Sequence, residues 1–535
     1  MTERHHTISG AFRAVLEERI VRPEPSVSIV KKVLITLAVQ TAKTIKHPER
    51  IIFFGITLPG IILRRAIRRF LFNIQSLIDF IPARLLLPKV RSALATENVI
   101  AGGKYLAEND PETAWKYLRR CLRTSSDPHH FFLGAVCLMV GLGRFNEAMD
   151  LFEKANALRR RKAIDLGLKG NPIRFLDIFW VGSFGHLAQT DYFIKADILA
   201  GRTRENRLMY VPASTPVANR FLFDQLRSHL TVHEREADLP LPLDSLAALS
   251  VDFLAPRQPD GSTVHLWKAA ADTYRKWHAE GFGPVFAFPE DVRQAALEQL
   301  KSAGLPPGAW FATLHVRERT SKHHHAELHS VLDATVYDYI PAIHEVVKRG
   351  GWVIRIGDPS MKPLPPMSNV LDCCHSSIRS EWMDIFLLSS CRFFIGTSSG
   401  PAYVPSIYGV PCVHTNWWPP AQRPWFEQDI FIPKVYRKTS GSDLSLLQSL
   451  AEPFGYCNSV AYLQRAHGVM VENNSPIDIH AAVVEMLDRL DGRIENDESV
   501  DALRQRANRI YETSAVSGMA QLARGFLKRH HGFIN

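Results

Sequence analysis

The sequence predicts an α/β protein with two units of alternating strands and helices, preceded by an all-helical N-terminal region. Three observations support this prediction. Short apolar runs alternate with amphipathic stretches between residues 171 and 490, which is typical of parallel sheets covered by helices. Apolar and small residues recur at helical spacing from Val99 to Arg161. Pro306, Pro307 and Gly308 form a natural linker between the two α/β units.

These patterns divide the chain into five predicted segments. They are residues 1–95, a basic and apolar helical segment; 96–170, tetratricopeptide-like helices; 171–305, the first α/β domain; 306–490, the second; and 491–535, C-terminal helices. The run GLGRFNEAMDLFEKANAL resembles the turn and second helix of a tetratricopeptide repeat. Because only about one and a half repeats are visible, we interpret them as a helical spacer more than as a docking surface.

Positive charge is concentrated at the N-terminus. The first 100 residues hold 16 Lys and Arg against 7 Asp and Glu, so that +9 of the net charge of +10 lies there. A globally basic nucleic-acid binder would spread this charge, so nucleic acid is not expected as a partner. We predict instead that residues 1–90 bind an anionic membrane surface. The alternative is a helical subdomain packed on the rest of the protein.

Nothing near the N-terminus reads as a signal peptide or a membrane span. MTERHHTISGAF has no apolar core, and the uncharged run Ile51–Leu63 is shorter than the about 20 residues that span a bilayer. Arg64, Arg65, Arg68 and Arg69 follow it at helical spacing, as in helices that lie on a membrane. The predicted location is therefore cytoplasmic and peripheral on the inner membrane face.

No metal site is predicted. The seven cysteines form an odd set without CxxC spacing, which is typical of reduced core thiols in a cytosolic protein. Cys373 and Cys374 lack the second ligand pair that a zinc site needs. His323, His324 and His325 are adjacent, so they cannot all face one point, and we interpret them as a solvated loop.

The stretch Phe393–Asn416 predicts a strand, a small-residue turn, a helix from Ala402 to Tyr408, a second turn and a strand. Its first turn is Thr397-Ser398-Ser399-Gly400. Such a turn offers hydroxyl and N–H groups to an anion at the positive end of a helix, where a nucleotide phosphate binds in open parallel sheets. The alternative is an ordinary turn of small residues.

Two further features fall where strands of the second unit end or helices begin. His315 and Arg317 end the strand Trp310–Val316, and a guanidinium opposite a hydroxyl-rich turn suits a diphosphate. Asp384 lies one turn inside the helix Glu381–Ser390, where its carboxylate could accept hydrogen bonds from a ribose or a base. The alternatives are an ion pair of Arg317 with its neighbour Glu318, and a cap or surface pair for Asp384.

The first unit contributes a glycine turn, Gly182–His186, which includes Gly185 and follows a predicted strand at Ile178–Val181. His186 could act as a general base, because its ordinary pKa is near neutral, or could be a helix N-terminal histidine. Asp191 is a second candidate for deprotonating an acceptor. Arg355 and Asp358, at the end of the strand Trp352–Ile356, complete the predicted substrate-binding residues.

No P-loop, GxGxxG or HExxH motif is present. Their absence argues against ATPases, dinucleotide enzymes and zincins.

Several ordered motifs carry a resemblance. HVRERT, followed about 70 residues later by DIFLLSSCRFFIGTSSGP, resembles the α1,6- and O-fucosyltransferase pattern, and SSGPAYVPSIYGVP is similar to the heptosyltransferase donor turn. Phe179–Leu490, about 60% of the chain, resembles a bacterial glycosyltransferase family that often carries tetratricopeptide-like helices. Its marks are GSFGHLAQTD, AWFATLHVRE, GGWVIRIGDPSM, FFIGTSSGP, DIFIPKVY and VENNSP. Leu332 and Glu318 stand where these families tend to carry arginine.

The resemblance implies a GT-B fold of two Rossmann-like domains, with a nucleotide-diphosphate sugar bound in the cleft mainly on the second. By position, Arg317 would hold the β-phosphate and His315 and Asp384 would contact the base or ribose. The serine-rich turn, Thr397–Ser399, would line the phosphates. The donor is a substrate, so no cofactor is expected, and such enzymes are generally metal-independent because an arginine and the helix dipole replace the cation.

Two functions follow as hypotheses. The first is an inverting hexosyl- or deoxyhexosyltransferase that builds a cell-surface glycan or acts on a lipid-linked acceptor. The second is a membrane-bound scaffold with a degenerate transferase fold that binds glycan or a partner protein.

Overall fold

The computed structural model describes residues 88–258, 260–318, 327–493 and 497–534. Most of the predicted membrane-associating segment, residues 1–95, lies outside the described residues, and so do His323, His324 and His325. The prediction for that segment therefore stays a prediction.

The region from Pro88 to Asp165 is helical. Its elements are α1 (Pro88–Ala107), α2 (Pro111–Thr124), α3 (Pro128–Val136) with a π-helical turn (Cys137–Gly141), and α4 (Phe145–Asp165). Asp110 accepts a hydrogen bond from the Thr113 N–H at 3.1 Å, which caps α2. Phe145 stacks on Tyr456 of the second unit at 4.2 Å. The helices thus pack against the body of the protein.

The first α/β unit is built on a three-stranded parallel sheet in the order β1-β2-β3. The strands are β1 (Arg174–Leu176), β2 (Arg207–Tyr210) and β3 (Thr231–His233). The helices are α5 (Phe184–Leu199), α6 (Arg220–Leu226), α7 (Leu243–Ala248), α8 (Leu266–Ala279) and α9 (Glu290–Ser302), with 3₁₀ turns at Arg204–Asn206 and Glu236–Asp238. The predicted strand at Ile178–Val181 is wrong: this run is a 3₁₀ turn, because Asp177 accepts from the Phe179 N–H and starts it.

The second unit holds a seven-stranded sheet in the order β12-β9-β8-β7-β4-β5-β6, and every neighbouring pair is parallel. The strands are β4 (Phe311–His315), β5 (Trp352–Arg355), β6 (Val370–Asp372), β7 (Phe393–Thr397), β8 (Cys412–Trp417), β9 (Ile430–Pro433) and β12 (Gln521–Leu522). β10 (Val435–Lys438) and β11 (Val469–Glu472) form a separate antiparallel pair. The C-terminal segment therefore joins this unit through β12.

Helices cover both faces of that sheet. They are α10 (Ile340–Lys348), α11 (Glu381–Ser390), α12 (Val404–Ile407), α13 (Leu446–Leu450), α14 (Val460–His467), α15 (Pro476–Leu490), α16 (Glu498–Glu512) and α17 (Arg524–Arg529). The 3₁₀ turns are Glu327–Leu332, Val336–Tyr339, Cys373–His375, Gly400–Tyr403 and His531–Ile534. In the described part of the chain, no helix is both long and apolar enough to cross a membrane.

The helix predicted at Ala402–Tyr408 is shorter than expected. A 3₁₀ turn over Gly400–Tyr403 leads into the four-residue helix α12. Pro401 and Pro405 lack the N–H groups that a continuous helix would use. The helix-dipole contribution predicted for this turn is correspondingly small, since the dipole sums over aligned peptide units.

Candidate active site

The carboxyl ends of four adjacent strands bring the predicted site residues together. β4 pairs with β7 up to His315 opposite Gly396, β7 with β8 up to Thr397 opposite Thr415, and β8 reaches β9 at Trp417 opposite Pro433. The residues that follow these strands lie side by side at one edge of the sheet. We call the set His315, Arg317, Asp333, Thr397, Ser398, Ser399 and Lys434 the carboxyl-edge cluster.

Arg317 is the most accessible member of this cluster. Its Nε donates to Asp333 Oδ1 at 3.0 Å, and 23% of its side chain is exposed. Its main-chain N–H donates to Thr397 Oγ1 at 3.0 Å, which fixes the turn after β4 against the end of β7. The pairing with Glu318 that was considered as an alternative is not formed, because Glu318 binds Arg355 instead.

The three hydroxyls of the predicted turn are buried and already engaged. Besides the bond at Thr397, Ser398 accepts from the Trp418 N–H at 2.7 Å, and Ser399 donates to the Thr397 carbonyl at 3.2 Å. Ser399 also bonds to His315 Nδ1 at 3.0 Å. These groups therefore hold the ends of β4, β7 and β8 in register and position Arg317.

Two histidines, His315 in the cluster and His329 near Arg317, are held neutral. Burial, reinforced by Arg355 and Arg317, lowers the pKa of His315 to about 3. Burial and Arg317 likewise lower the pKa of His329 to about 3. The Nδ1 atom of His329 is buried and has no hydrogen-bond partner in the part of the chain that the structure describes. His329 was not recognised in the sequence, where it lies next to the histidine-rich loop.

Lys434 was also missed, although it stands in the DIFIPKVY run that carries the family resemblance. It directly follows β9, and its Nζ donates to the Asp333 carbonyl at 2.9 Å and to Asn473 Oδ1 at 2.7 Å. The next residue, Asn474, exchanges main-chain to side-chain hydrogen bonds with Asn416. The VENNSP run, which precedes α15, therefore borders the cluster through Asn473 and Asn474.

Asp384 lies in α11, the helix that contacts the first unit along a boundary that we call the interdomain seam. Its neighbour Glu381 accepts from the Arg220 N–H at 2.7 Å and from Asn219 at 3.0 Å, both in the first unit. In the described part of the chain, no group donates a hydrogen bond to the Asp384 carboxylate. Burial raises its pKa to about 7, an effect that Arg379 opposes and Glu381 reinforces. The predicted roles of cap or surface pair are not seen.

The two glycine turns predicted to face one cleft do meet at the seam. A Cβ built on Gly400 would lie 2.8 Å from the Gly185 nitrogen and 2.8 Å from Phe184 Cβ. A Cβ on Gly185 would lie 3.3 Å from Gly400 Cα. The backbones therefore approach more closely than side chains allow. Gly182 ends the preceding 3₁₀ turn.

The two candidate bases of the first unit are enclosed. His186 donates from Nδ1 to the Phe179 carbonyl at 2.7 Å and packs on Phe253 at 4.2 Å, and burial lowers its pKa to about 4. Asp191 is fully buried, paired with Lys195 at 2.8 Å and hydrogen-bonded by Tyr274 at 2.9 Å. Asp191 therefore anchors α5 to α8 and reaches no cleft, contrary to its predicted catalytic role.

Arg355 and Asp358 also have internal partners. Arg355 is fully buried and binds Glu318 at 2.9 Å and Asp372 at 3.2 Å, so it braces the loop after β4 instead of facing a ligand. Asp358 accepts from the N–H and the hydroxyl of Ser360, at 2.9 and 2.6 Å, which closes a local turn.

One group has the chemistry of a metal site. Cys412, His414 and Asp429 place ligand atoms within 4.8 Å of one another in the core. The Asp429 carboxylate already accepts from the Cys412 N–H at 2.9 Å, from Ser406 at 3.4 Å and from His414 at 3.2 Å. These hydrogen bonds satisfy the carboxylate, so we assign the group to the internal support of β8 and β9.

A polar cavity of about 510 Å³ lies at the opposite edge of the sheet, before β9 and β12. Lys268, Arg275, Arg423, Glu427 and Glu512 are among its lining residues. None of the predicted site residues lines it.

Comparisons with known proteins give low similarities. No family model and no curated protein match the chain. The chain is similar to a glycosyl transferase family 9 protein from Veillonella parvula, with 12% identity and a TM-score of 0.29 over 49% of this chain and 85% of that one. It is also similar to the E. coli heptosyltransferase WaaC with ADP-2-deoxy-2-fluoro heptose (14%, TM-score 0.23, 52% and 96%) and to the iron-containing dodecameric glycosyltransferase TibC from enterotoxigenic E. coli (12%, 0.27, 45% and 57%). Because identities and TM-scores are low, the function proposed below rests on the residues of this chain.

Proposed function

We propose that the chain is a glycosyltransferase that takes a sugar from a nucleotide-diphosphate sugar and holds the leaving diphosphate at the carboxyl-edge cluster. The observation that carries this proposal is the setting of Arg317. Its guanidinium is partly exposed at the carboxyl end of a central parallel strand, where open α/β sheets bind ligands. Among the described residues, only Asp333 offers it a carboxylate partner, at Nε, so the other nitrogens can form a bidentate contact with a phosphate.

The proposed reaction is a single displacement at the anomeric carbon of the donor sugar, which inverts its configuration. An acceptor hydroxyl oxygen forms the new bond, and the bond between that carbon and the diphosphate oxygen breaks with its electron pair. Arg317 stabilises the charge that develops on the diphosphate. With this cation in place, the proposed transfer needs no divalent metal.

The acceptor proton passes, in this proposal, to Asp384. Its helix, α11, borders the interdomain seam, and no group in the described part of the chain donates a hydrogen bond to its carboxylate. Burial raises its pKa to about 7, which suits a general base near neutral pH. His186 is less suited because its imidazole is packed against Phe253 and its pKa is lowered to about 4.

The acceptor is proposed to be a cell-surface glycan or a lipid-linked molecule at the inner membrane face. The support is the positive charge of the first 100 residues. Deleting residues 1–90 should move the protein from the membrane fraction to the supernatant. Full retention on membranes after the deletion contradicts this placement.

The experiment that tests the proposed function is release of nucleoside diphosphate from a panel of GDP-, UDP- and ADP-sugars. We expect turnover of at least one donor by the full chain and its loss in Arg317→Ala. Folded protein that is silent across the whole panel contradicts the proposal and favours the scaffold hypothesis.

A further inference from the structure

Lys434 is a buried lysine that forms no ion pair in the described part of the chain. Only 3% of the residue is exposed, and both groups that accept from its Nζ, the Asp333 carbonyl and the Asn473 amide oxygen, are neutral. In the part of the chain that the structure describes, no carboxylate oxygen lies within 4 Å of Nζ. An ammonium group has three N–H donors, so one remains unused.

Such an arrangement is costly for the free protein. Removing an ammonium from water is unfavourable unless an opposite charge compensates it. Burial, opposed by Asp333 and aided by Arg317, lowers the pKa of Lys434 to about 7. His329 adds no charge, because burial and Arg317 keep it neutral, and the nearby Glu472 is bound to Arg437 at 3.0 Å.

The position of Lys434 relates it to Arg317. Asp333 binds both residues, Arg317 through its carboxylate and Lys434 through its main-chain carbonyl. In the strand order β9-β8-β7-β4, Lys434 follows β9 and Arg317 follows β4. The turn at Thr397 and Ser398 follows β7, which lies between these two strands. An anion bound against that turn would therefore lie between two positive charges.

We infer that Lys434 is the second cation of the diphosphate site and, with Arg317, neutralises the leaving group. This inference rests on the proposed function and adds a residue to it. The bound diphosphate supplies the missing counter-charge, so a lysine that is neutral in the free protein takes up one proton from solvent on binding. Affinity for the diphosphate should then fall as the pH rises above neutral.

The test is titration calorimetry of the full chain with GDP, UDP, ADP and inorganic pyrophosphate at about pH 6.5 and about pH 8.5, which bracket the range in which such a lysine titrates. Each titration is run in two buffers of different ionisation enthalpy to count protons. We expect proton uptake at the higher pH and weaker binding there. Lys434→Met should weaken diphosphate binding about 10- to 100-fold, the worth of one hydrogen bond to a charged group, and abolish the uptake.

The matched control is Lys348→Met, which removes a lysine charge at the end of α10, before β5 and thus away from the carboxyl-edge cluster. It should leave both affinity and proton uptake unchanged. Thermal unfolding adds a second readout: removal of an uncompensated buried charge should leave the Tm of Lys434→Met unchanged or higher, whereas a lysine that merely braced the loop would lower it.

The possible failures are distinguishable. If no diphosphate and no pyrophosphate binds the wild-type chain, the proposed function fails and this inference fails with it. If the wild type binds and Arg317→Lys weakens binding, but Lys434→Met binds like the wild type, only the role of Lys434 is overturned. If Lys434→Met does not fold, the proton count of the wild-type chain is the test. Diphosphate binding to the wild type without proton uptake at the higher pH overturns the inference.

Discussion

Replacing Arg317 with lysine keeps the positive charge of the carboxyl-edge cluster but removes the planar set of donors that can bind a phosphate bidentately. The Nε–Asp333 hydrogen bond of 3.0 Å is lost as well. Removing one donor from a site of developing negative charge lowers kcat by about 10²- to 10³-fold. Because lysine retains the charge, we expect about 10²-fold for Arg317→Lys and about 10³-fold for Arg317→Ala.

The structure separates this effect from a loss of stability. The Arg317 side chain is 23% exposed, and ion pairs at such positions contribute about 0–1 kcal/mol to folding. Both variants should therefore unfold in denaturant close to the wild-type midpoint. Arg392→Lys is the matched control: Arg392 is 28% exposed and bound to a single aspartate, Asp491, but it precedes β7 at the opposite edge of the sheet.

The assay is nucleoside diphosphate release at saturating donor, with the unfolding midpoint measured on the same preparations. Arg392→Lys should keep wild-type kcat. If Arg317→Ala stays within about tenfold of the wild type, which corresponds to 1.36 kcal/mol in the barrier, Arg317 does not stabilise the leaving group. If both arginine variants lose activity equally, the loss is a general effect of the substitution.

Gly400→Ala places a methyl group 2.8 Å from the Gly185 nitrogen, so it should shift the interdomain seam and abolish donor turnover. The control Gly283→Ala, whose methyl group meets nothing within 4 Å, should remain active. Equal activity of the two variants contradicts the close contact. The Asp384 pKa of about 7 is raised above its unfolded value, so activity should rise with pH through about 7, and this limb should vanish in Asp384→Asn. Because its folded-state pKa is raised, the Asp384 carboxyl destabilises the fold increasingly as the pH rises towards 7. The Tm of Asp384→Asn should therefore exceed that of the wild type by more at pH 8 than at pH 5. An equal Tm difference at the two pH values argues against the raised pKa. Arg355→Met leaves the Glu318 charge buried and unpaired and should lower the free energy of unfolding by about 3–5 kcal/mol in denaturant titrations, whereas a change below about 1 kcal/mol means that the buried pair is not formed.

The helix Glu381–Ser390 was predicted at its observed bounds. The side chain of Ser380 caps its first turn, which is the signal that a serine before a helical run provides. The 3₁₀ turns at 178–181 and 400–403 were missed. Asp177 caps the first turn, and Pro401 and Pro405 limit the helix at the second, and hydrophobic periodicity shows neither effect.

The candidate site was predicted in part. His315, Arg317 and the turn at Thr397 converge because they follow neighbouring parallel strands, and strand ends are visible in the sequence. Asp333 and Lys434 are separated by 101 residues and meet only through the order of strands in the sheet, which the sequence does not encode locally. Arg355 was predicted to bind a ligand because it ends a strand. Its burial against Glu318 depends on how the loop after β4 folds, and the sequence does not show this.

The central claim is that the carboxyl edge of the seven-stranded sheet holds a diphosphate. A crystal structure of the full chain with the nucleoside diphosphate that it releases tests this most directly. We expect the β-phosphate within hydrogen-bond distance, about 2.7–2.9 Å, of the Arg317 guanidinium, beside the turn at Ser398. A nucleotide bound instead in the polar cavity beside Arg423, at the opposite edge of the sheet, would contradict the account.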